Sequence, residues 1–232
     1  MTEQWKSKLK QLEVDLQPAI GRILEHRFIK RLQSGDISKE QLIEFALQYG
    51  IYCSYFPRFL CAAAANIADD QTRFSLIENL WEEHGSGDLK GSHRVLYKNF
   101  CLGLGLTEES INNYKPFPST LIYVEYMLNM CQDANYLKSL GALGPGTEFF
   151  TSQEYSIIYE ALKKFSYIPE HALEFWFVHI SLDDHHYDDM LNSIVPWIKD
   201  EASFMLVKEG AERAIDLEFL FWEGIEDYLF GN

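Results

Sequence analysis

Apolar residues recur at intervals of three and four along nearly the whole chain, the repeat of helices with one buried face. A first segment runs from about residue 3 to 33 and stops at "QSGD". Ser38 then stands where an N-cap is needed, ahead of "KEQLIEFALQYGIYCSYFPRFLCAAAANI", in which Pro57 is expected to kink the helix. "DDQTRFSLIENLWEEH" reads as a third helix closed by "GSGD", and "LKGSHRVLYKNFCLGLGL" as a fourth that ends in glycines. "TEESINNY" opens near a capping-box pattern, with Thr107 and Glu109 close to the right offset but not on it. "PSTLIYVEYMLNMCQDANYLKSLGALG" is almost wholly apolar, as a central helix would be. "GPG" at 144–146 breaks or bends the chain before "EYSIIYEALKKF" resumes. "PEHALEFWFVHISLDDHHYDDMLNSI" begins with Pro169 at a first-turn position, and 195–230 is again helical. No strand hairpin, internal repeat or low-complexity linker interrupts the pattern. It predicts one all-α domain over residues 1–232, a bundle of about seven or eight helices.

Composition changes that picture little but narrows the partners. With 47% hydrophobic and 15% aromatic residues, 232 residues can bury a substantial core. A net charge of −15 disfavours nucleic acid and anionic membrane surfaces, both of which want a basic face. Cys53, Cys61, Cys101 and Cys131 are scattered through apolar stretches with no CxxC pair. The N-terminal stretch is amphipathic without an apolar signal core, and no run of about 18 apolar residues exists. A cytoplasmic protein with reduced thiols is expected.

The chemistry concentrates in "HISLDDHHYDDM", residues 179–190, with three histidines and four aspartates. At about 100° per residue, His179, Asp183 and His186 fall on one helix face, while Asp184, His185 and Asp188 point elsewhere. The preceding "LEFWFVHI" is apolar, so that face enters the core, where ionisable groups are costly unless paired or metal-bound. Two imidazoles and a carboxylate suit iron, manganese or zinc; the rival reading is a solvated helix end. "EEHGSGDLKGSH" adds Glu83 and, ten residues on, His93, with Glu82 and His84 as alternatives to Glu83. Glu148 is a lone acid in "GALGPGTEFF", read either as a ligand or as an acid favoured at a helix start. Arg58, in an apolar run, is read as a carboxylate receptor or as a surface cation.

In this order, E-x9-H, a glutamate after "GxLGPG" and then H-x3-D-x2-H, the chain resembles the heme-oxygenase-like diiron oxidases and oxygenases. That group includes the chlamydial protein associating with death domains. "LWEEHGSG…H" and "FPRFL" strengthen the likeness, which extends over residues 20–190. The resemblance implies a heme-oxygenase-like (TenA/PqqC-like) fold, possession of two Fe ions with manganese as an alternative at one, and O2 as co-substrate. It implies Glu83, His93 and His186 on one iron and Glu148, His179 and Asp183 on the other. Three carboxylates would offset three of the four charges of two Fe(II) ions. A small-molecule substrate, apolar or amino-acid-like, is expected, and fold relatives suggest a homodimer.

Two departures bear on the reaction. A tyrosine expected after "H-x-F" on the first helix is Ile29 here, and another expected just before the third glutamate is Thr147. The self-consuming tyrosine chemistry of the chlamydial relatives therefore loses its residues, and an external substrate is favoured. Three rivals stand beside this reading: a heme protein with His26 as axial ligand, a metal-free TenA/PqqC-like enzyme, whose thiaminase type uses a nucleophilic cysteine beside a carboxylate, and a non-enzymatic interaction protein drawn to a basic partner.

Overall fold

The computed structural model describes residues 2–231, and side chains at all of these except 2 and 181–186. Every regular element among them is helical. The eleven α-helices are α1 (Thr2–Leu24), α2 (Arg27–Ser34), α3 (Lys39–Asn66), α4 (Asp70–Glu83), α5 (His93–Gly103), α6 (Glu108–Asn113), α7 (Pro118–Cys131), α8 (Tyr136–Leu143), α9 (Phe149–Leu162), α10 (Glu174–Ile194) and α11 (Glu201–Phe230). The all-α expectation holds, and the count exceeds the seven or eight expected because two apparent helices are each split and the six-residue α6 stands as a helix of its own.

The first split falls at His26, whose Nδ1 accepts from the Phe28 amide at 3.2 Å and so caps α2. Histidine is not among the preferred cap residues, which hides the break from a sequence pattern. The second splits the long apolar segment into α7 and α8 at "QDAN". There Asp133 Oδ1 accepts from the Asn135 amide at 2.8 Å, a side-chain turn that replaces helical bonding. Ser38 caps α3 as expected, its Oγ accepting from the Gln41 amide at 3.2 Å while Gln41 returns a bond to the Ser38 amide. Such a cap is worth about 1 kcal/mol. The box at α6 is closed by Thr107 with Ser110, one residue beyond Glu109. α3 runs without interruption through Pro57.

"GPG" neither breaks the chain nor continues an α-helix. Residues Gly144–Glu148 form a π-helical turn joining α8 to α9. The wider turn misaligns carbonyls, and the Thr147 hydroxyl donates to Ala142 O at 2.9 Å. Behind it, α8 crosses α11 backbone against backbone. A Cβ on Gly141 would lie 2.1 Å from Val207 O, and one on Gly210 2.0 Å from Lys138 O. Only glycine permits that approach.

The core is aromatic at its centre. Phe45 and Tyr49 of α3 meet Trp176 of α10 and Trp222 of α11, with centroid separations of 5.3–6.3 Å. Truncating one such ring costs about 3–5 kcal/mol. Against this wall lie the two ends that matter for chemistry: the C-terminus of α4 with the N-terminus of α5, and the π-helical turn facing α10.

Candidate metal centre

Glu83 closes α4 and His93 opens α5. The "GSGD" turn between them reverses the chain through three left-handed residues, Gly85, Ser86 and Gly87. At Gly85 (φ +79°) a Cβ would also sit 2.2 Å from Asp88 O, so the turn requires glycine there. The reversal brings His93 Nδ1 to 2.7 Å from Glu83 Oε1, both side chains buried. His179 arrives from α10 with its Nε2 4.0 Å from the same Glu83 oxygen, and its ring centroid is 4.2 Å from that of His93. The three residues each offer a donor atom within 4.8 Å of the others.

The orientation of His179 is settled by its other nitrogen. Nδ1 lies 2.7 Å from the Phe175 carbonyl, which can only accept, so Nδ1 carries the proton and Nε2 is the nitrogen turned towards Glu83. This is the arrangement that presents an imidazole to a cation. For His93, burial pulls the pKa down. The charge and hydrogen bond of Glu83 outweigh it, with Glu148 and Glu82 adding, so the imidazole is held above its ordinary value. A proton thus occupies a place where acids converge on histidines in a buried pocket. A metal ion takes such a place by displacing the proton. The donor set, carboxylate and imidazole, fits iron.

Glu148, at the end of the π-helical turn, lines the same cavity and is buried. Asn79, one turn before Glu83 on α4, donates from Nδ2 to Glu148 Oε1 at 2.8 Å. The Asn79 Oδ1 is buried without a partner among the described residues. Asp183 and His186, the remaining expected ligands, lie outside the described side chains. The geometry groups His179 with Glu83 and His93, whereas the resemblance assigned it to the iron of Glu148 and Asp183.

Residues that periodicity did not single out complete the wall: Cys53, Phe56, Thr151, Tyr155 and Phe175. Tyr155 sits 4.8 Å, ring to ring, from His179. Its signal was its place two turns beyond Glu148; that of Asn79 was a polar residue one turn before Glu83. Burial, and then the charge of Glu83, push the Cys53 thiol well above its ordinary value. It stays a thiol, unsuited to the nucleophilic role of the thiaminase-type rival. The heme rival fails at His26, whose Nε2 is 2.9 Å from Glu223 Oε1 while Nδ1 caps α2, leaving neither ring nitrogen for iron. Arg58 is exposed and lies 4.2 Å over the Tyr55 ring, a surface cation.

Comparison with known proteins agrees with this chemistry. The chain is 23% identical over 209 residues to the 4-chloro-allylglycine synthase of Streptantibioticus cattleyicolor, covering 90% of this chain and 79% of that one. It is 30% identical over 130 residues to a 4-aminobenzoate synthase of Chlamydia pneumoniae, covering 56% of this chain and 57% of the relative. A TenA homologue from Pseudomonas syringae superposes with a TM-score of 0.79 at 16% identity, over 93% of this chain and 91% of that one, which establishes the heme-oxygenase-like fold. The model of one family, described as iron-containing redox enzymes, matches residues 43–219. An all-helical chain with a buried glutamate–histidine cluster, matched over most of its length, therefore belongs to the iron-containing redox enzymes.

Proposed function

We propose that this oxidoreductase is an O2-dependent diiron oxidase or oxygenase acting on a small organic molecule that bears an amino and a carboxylate group. The observation that carries the reading is the buried convergence of Glu83, His93 and His179 from three helices. Glu83, His93, Glu148, His179, Asp183 and His186 would hold two iron ions, with manganese as the alternative at one. The bound metals would supply the electrons that reduce O2 and the oxidising power for the substrate.

The chain's own contribution is positional. The Phe175 carbonyl holds His179 in one tautomer. Asn79 orients Glu148. Phe56, Tyr155 and Phe175 keep the cavity narrow and largely apolar, so that water competes poorly. The cavity offers only about 30 Å³, room for a water or two but not for an organic molecule beside a metal. Ile29 and Thr147 stand where the self-consuming relatives are expected to carry tyrosines, which supports an external substrate. The products named for the two relatives, 4-chloro-allylglycine and 4-aminobenzoate, both carry an amine and a carboxylate, and support the substrate class.

The test is anaerobic loading with Fe(II), elemental analysis, and oxygen uptake after mixing with O2. Two irons per chain and metal-dependent oxygen consumption are expected, with Glu83→Ala and His179→Ala each holding at most one iron. Wild-type protein that takes up no iron, or variants that retain the full amount, would sink the reading.

A further inference from the structure

The metal cavity is too small for an organic substrate, but a second cavity of about 530 Å³ lies on the other side of α3 and α5. That volume is within the range of small-molecule sites. Two observations tie it to the centre. Cys53 of α3 lines both cavities, so they adjoin at that residue. On α5, His93 and Arg94 are consecutive and point about 100° apart: His93 turns into the metal cavity and Arg94 lines the larger one.

The walls of the larger cavity include Leu47, Ile51, Ile111 and Leu121, an apolar lining of three elements. Three charged side chains line it, Arg94, Lys98 and Glu108. Lys98 is paired with Glu108 at 2.9 Å. Arg94 makes no hydrogen bond or ion pair with any described residue, although acids outnumber bases by 35 to 20 in this chain. Arg94 is exposed like Arg58 but, unlike it, stands at the wall of a cavity, where an unpaired guanidinium in so acidic a protein is placed to receive an anion from outside.

We infer that the larger cavity is the chamber that takes the organic substrate, with Arg94 receiving its carboxylate and the apolar or aromatic body lying along α3 towards Cys53. This rests on the diiron reading and adds the site and the anchoring group. The substrate's reactive end then enters the metal cavity past Cys53, while its carboxylate stays on the far side of α5.

The probe is 4-phenylbutanoate, compared with 4-phenylbutanol and 4-phenylbutylamine by titration calorimetry. Wild-type protein is expected to bind the carboxylate about tenfold or more tightly than the alcohol, the scale of a hydrogen bond to a charged group. Arg94→Gln should erase that preference while changing alcohol binding less than about twofold. Leu121→Trp, which adds bulk at the cavity wall from an exposed position, should weaken both by about tenfold. Cobalt(II)-loaded protein supplies the second readout: 4-phenylbutanoate should alter its visible spectrum in wild type and not in Arg94→Gln. A carboxylate preference that survives Arg94→Gln overturns the anchor. Binding that leaves the cobalt spectrum unchanged overturns the chamber's connection to the centre. If the protein takes up no metal at all, the diiron reading fails, and the calorimetry still decides on the carboxylate site.

Discussion

Asn79 shows what a single side chain decides at this centre. It lies on the same face of α4 as Glu83 and fixes Glu148 across the cavity at 2.8 Å. Groups that orient a ligating carboxylate typically carry a 10–100-fold effect on metal affinity. Asn79→Ala is therefore expected to weaken metal binding by about 10–100-fold with the helical spectrum unchanged, measured by competition with a metallochromic chelator. Unchanged affinity would show that Glu148 needs no such anchor. The sequence announced Glu83, His93 and His179 through helical spacing and the glycine turn. It could not announce Asn79, because an amide one turn before a glutamate is common on any solvated face. His26 stood open as a rival axial ligand for the same reason: only the fold reveals that both its nitrogens are already engaged.

At the scale of elements, periodicity located nearly every helix and missed where two of them break. Both breaks rest on one side chain bonding to a backbone amide, His26 and Asp133, an event with no period. "GPG" was legible as an irregularity but not as a π-helical turn, because the turn is stabilised by Thr147 reaching back to Ala142 and by packing on α11. A π-turn amounts to an extra residue within an α-helix, and such turns gather at functional sites. Deleting Thr147 should let α8 and α9 join as continuous helix with their outer faces preserved. The expected result is near-wild-type circular dichroism with iron reduced to at most one per chain. Full iron content in the deletion variant would remove Glu148 from the ligand set.

Across the whole molecule, acidity reaches the core. Glu154 of α9 and Glu218 of α11 are both buried and hydrogen-bonded to each other. Trp222 Nε1 donates to Glu154 at 3.0 Å and Tyr49 at 3.4 Å, and no lysine or arginine pairs with either acid among the described residues. Burial drives Glu154 up to about 7 and Glu218 further, the latter raised also by the charge of Glu154. The folded state thus holds more protons than the unfolded one between pH 4.5 and about 7. Stability is contributed at low pH and lost as pH rises through that window. Glu154→Gln with Glu218→Gln should melt higher than wild type at pH 8, with the gap closing towards pH 5, as read by thermal melts at both. A gap that widens on acidification would mean that the pair is ionised in the fold.

The seam between α8 and α11 has a consequence for descent. Gly141 and Gly210 each face a backbone oxygen rather than a side chain. No neighbour can shrink to admit a larger residue at either position, because main-chain atoms are common to all twenty amino acids. Compensation by a second substitution is closed off, so drift at these two positions requires the helices themselves to move apart. Such a movement would carry the π-helical turn, and Glu148 with it, away from α4. Two glycines remote from the chemistry are thereby bound to the same history as the carboxylates they never touch.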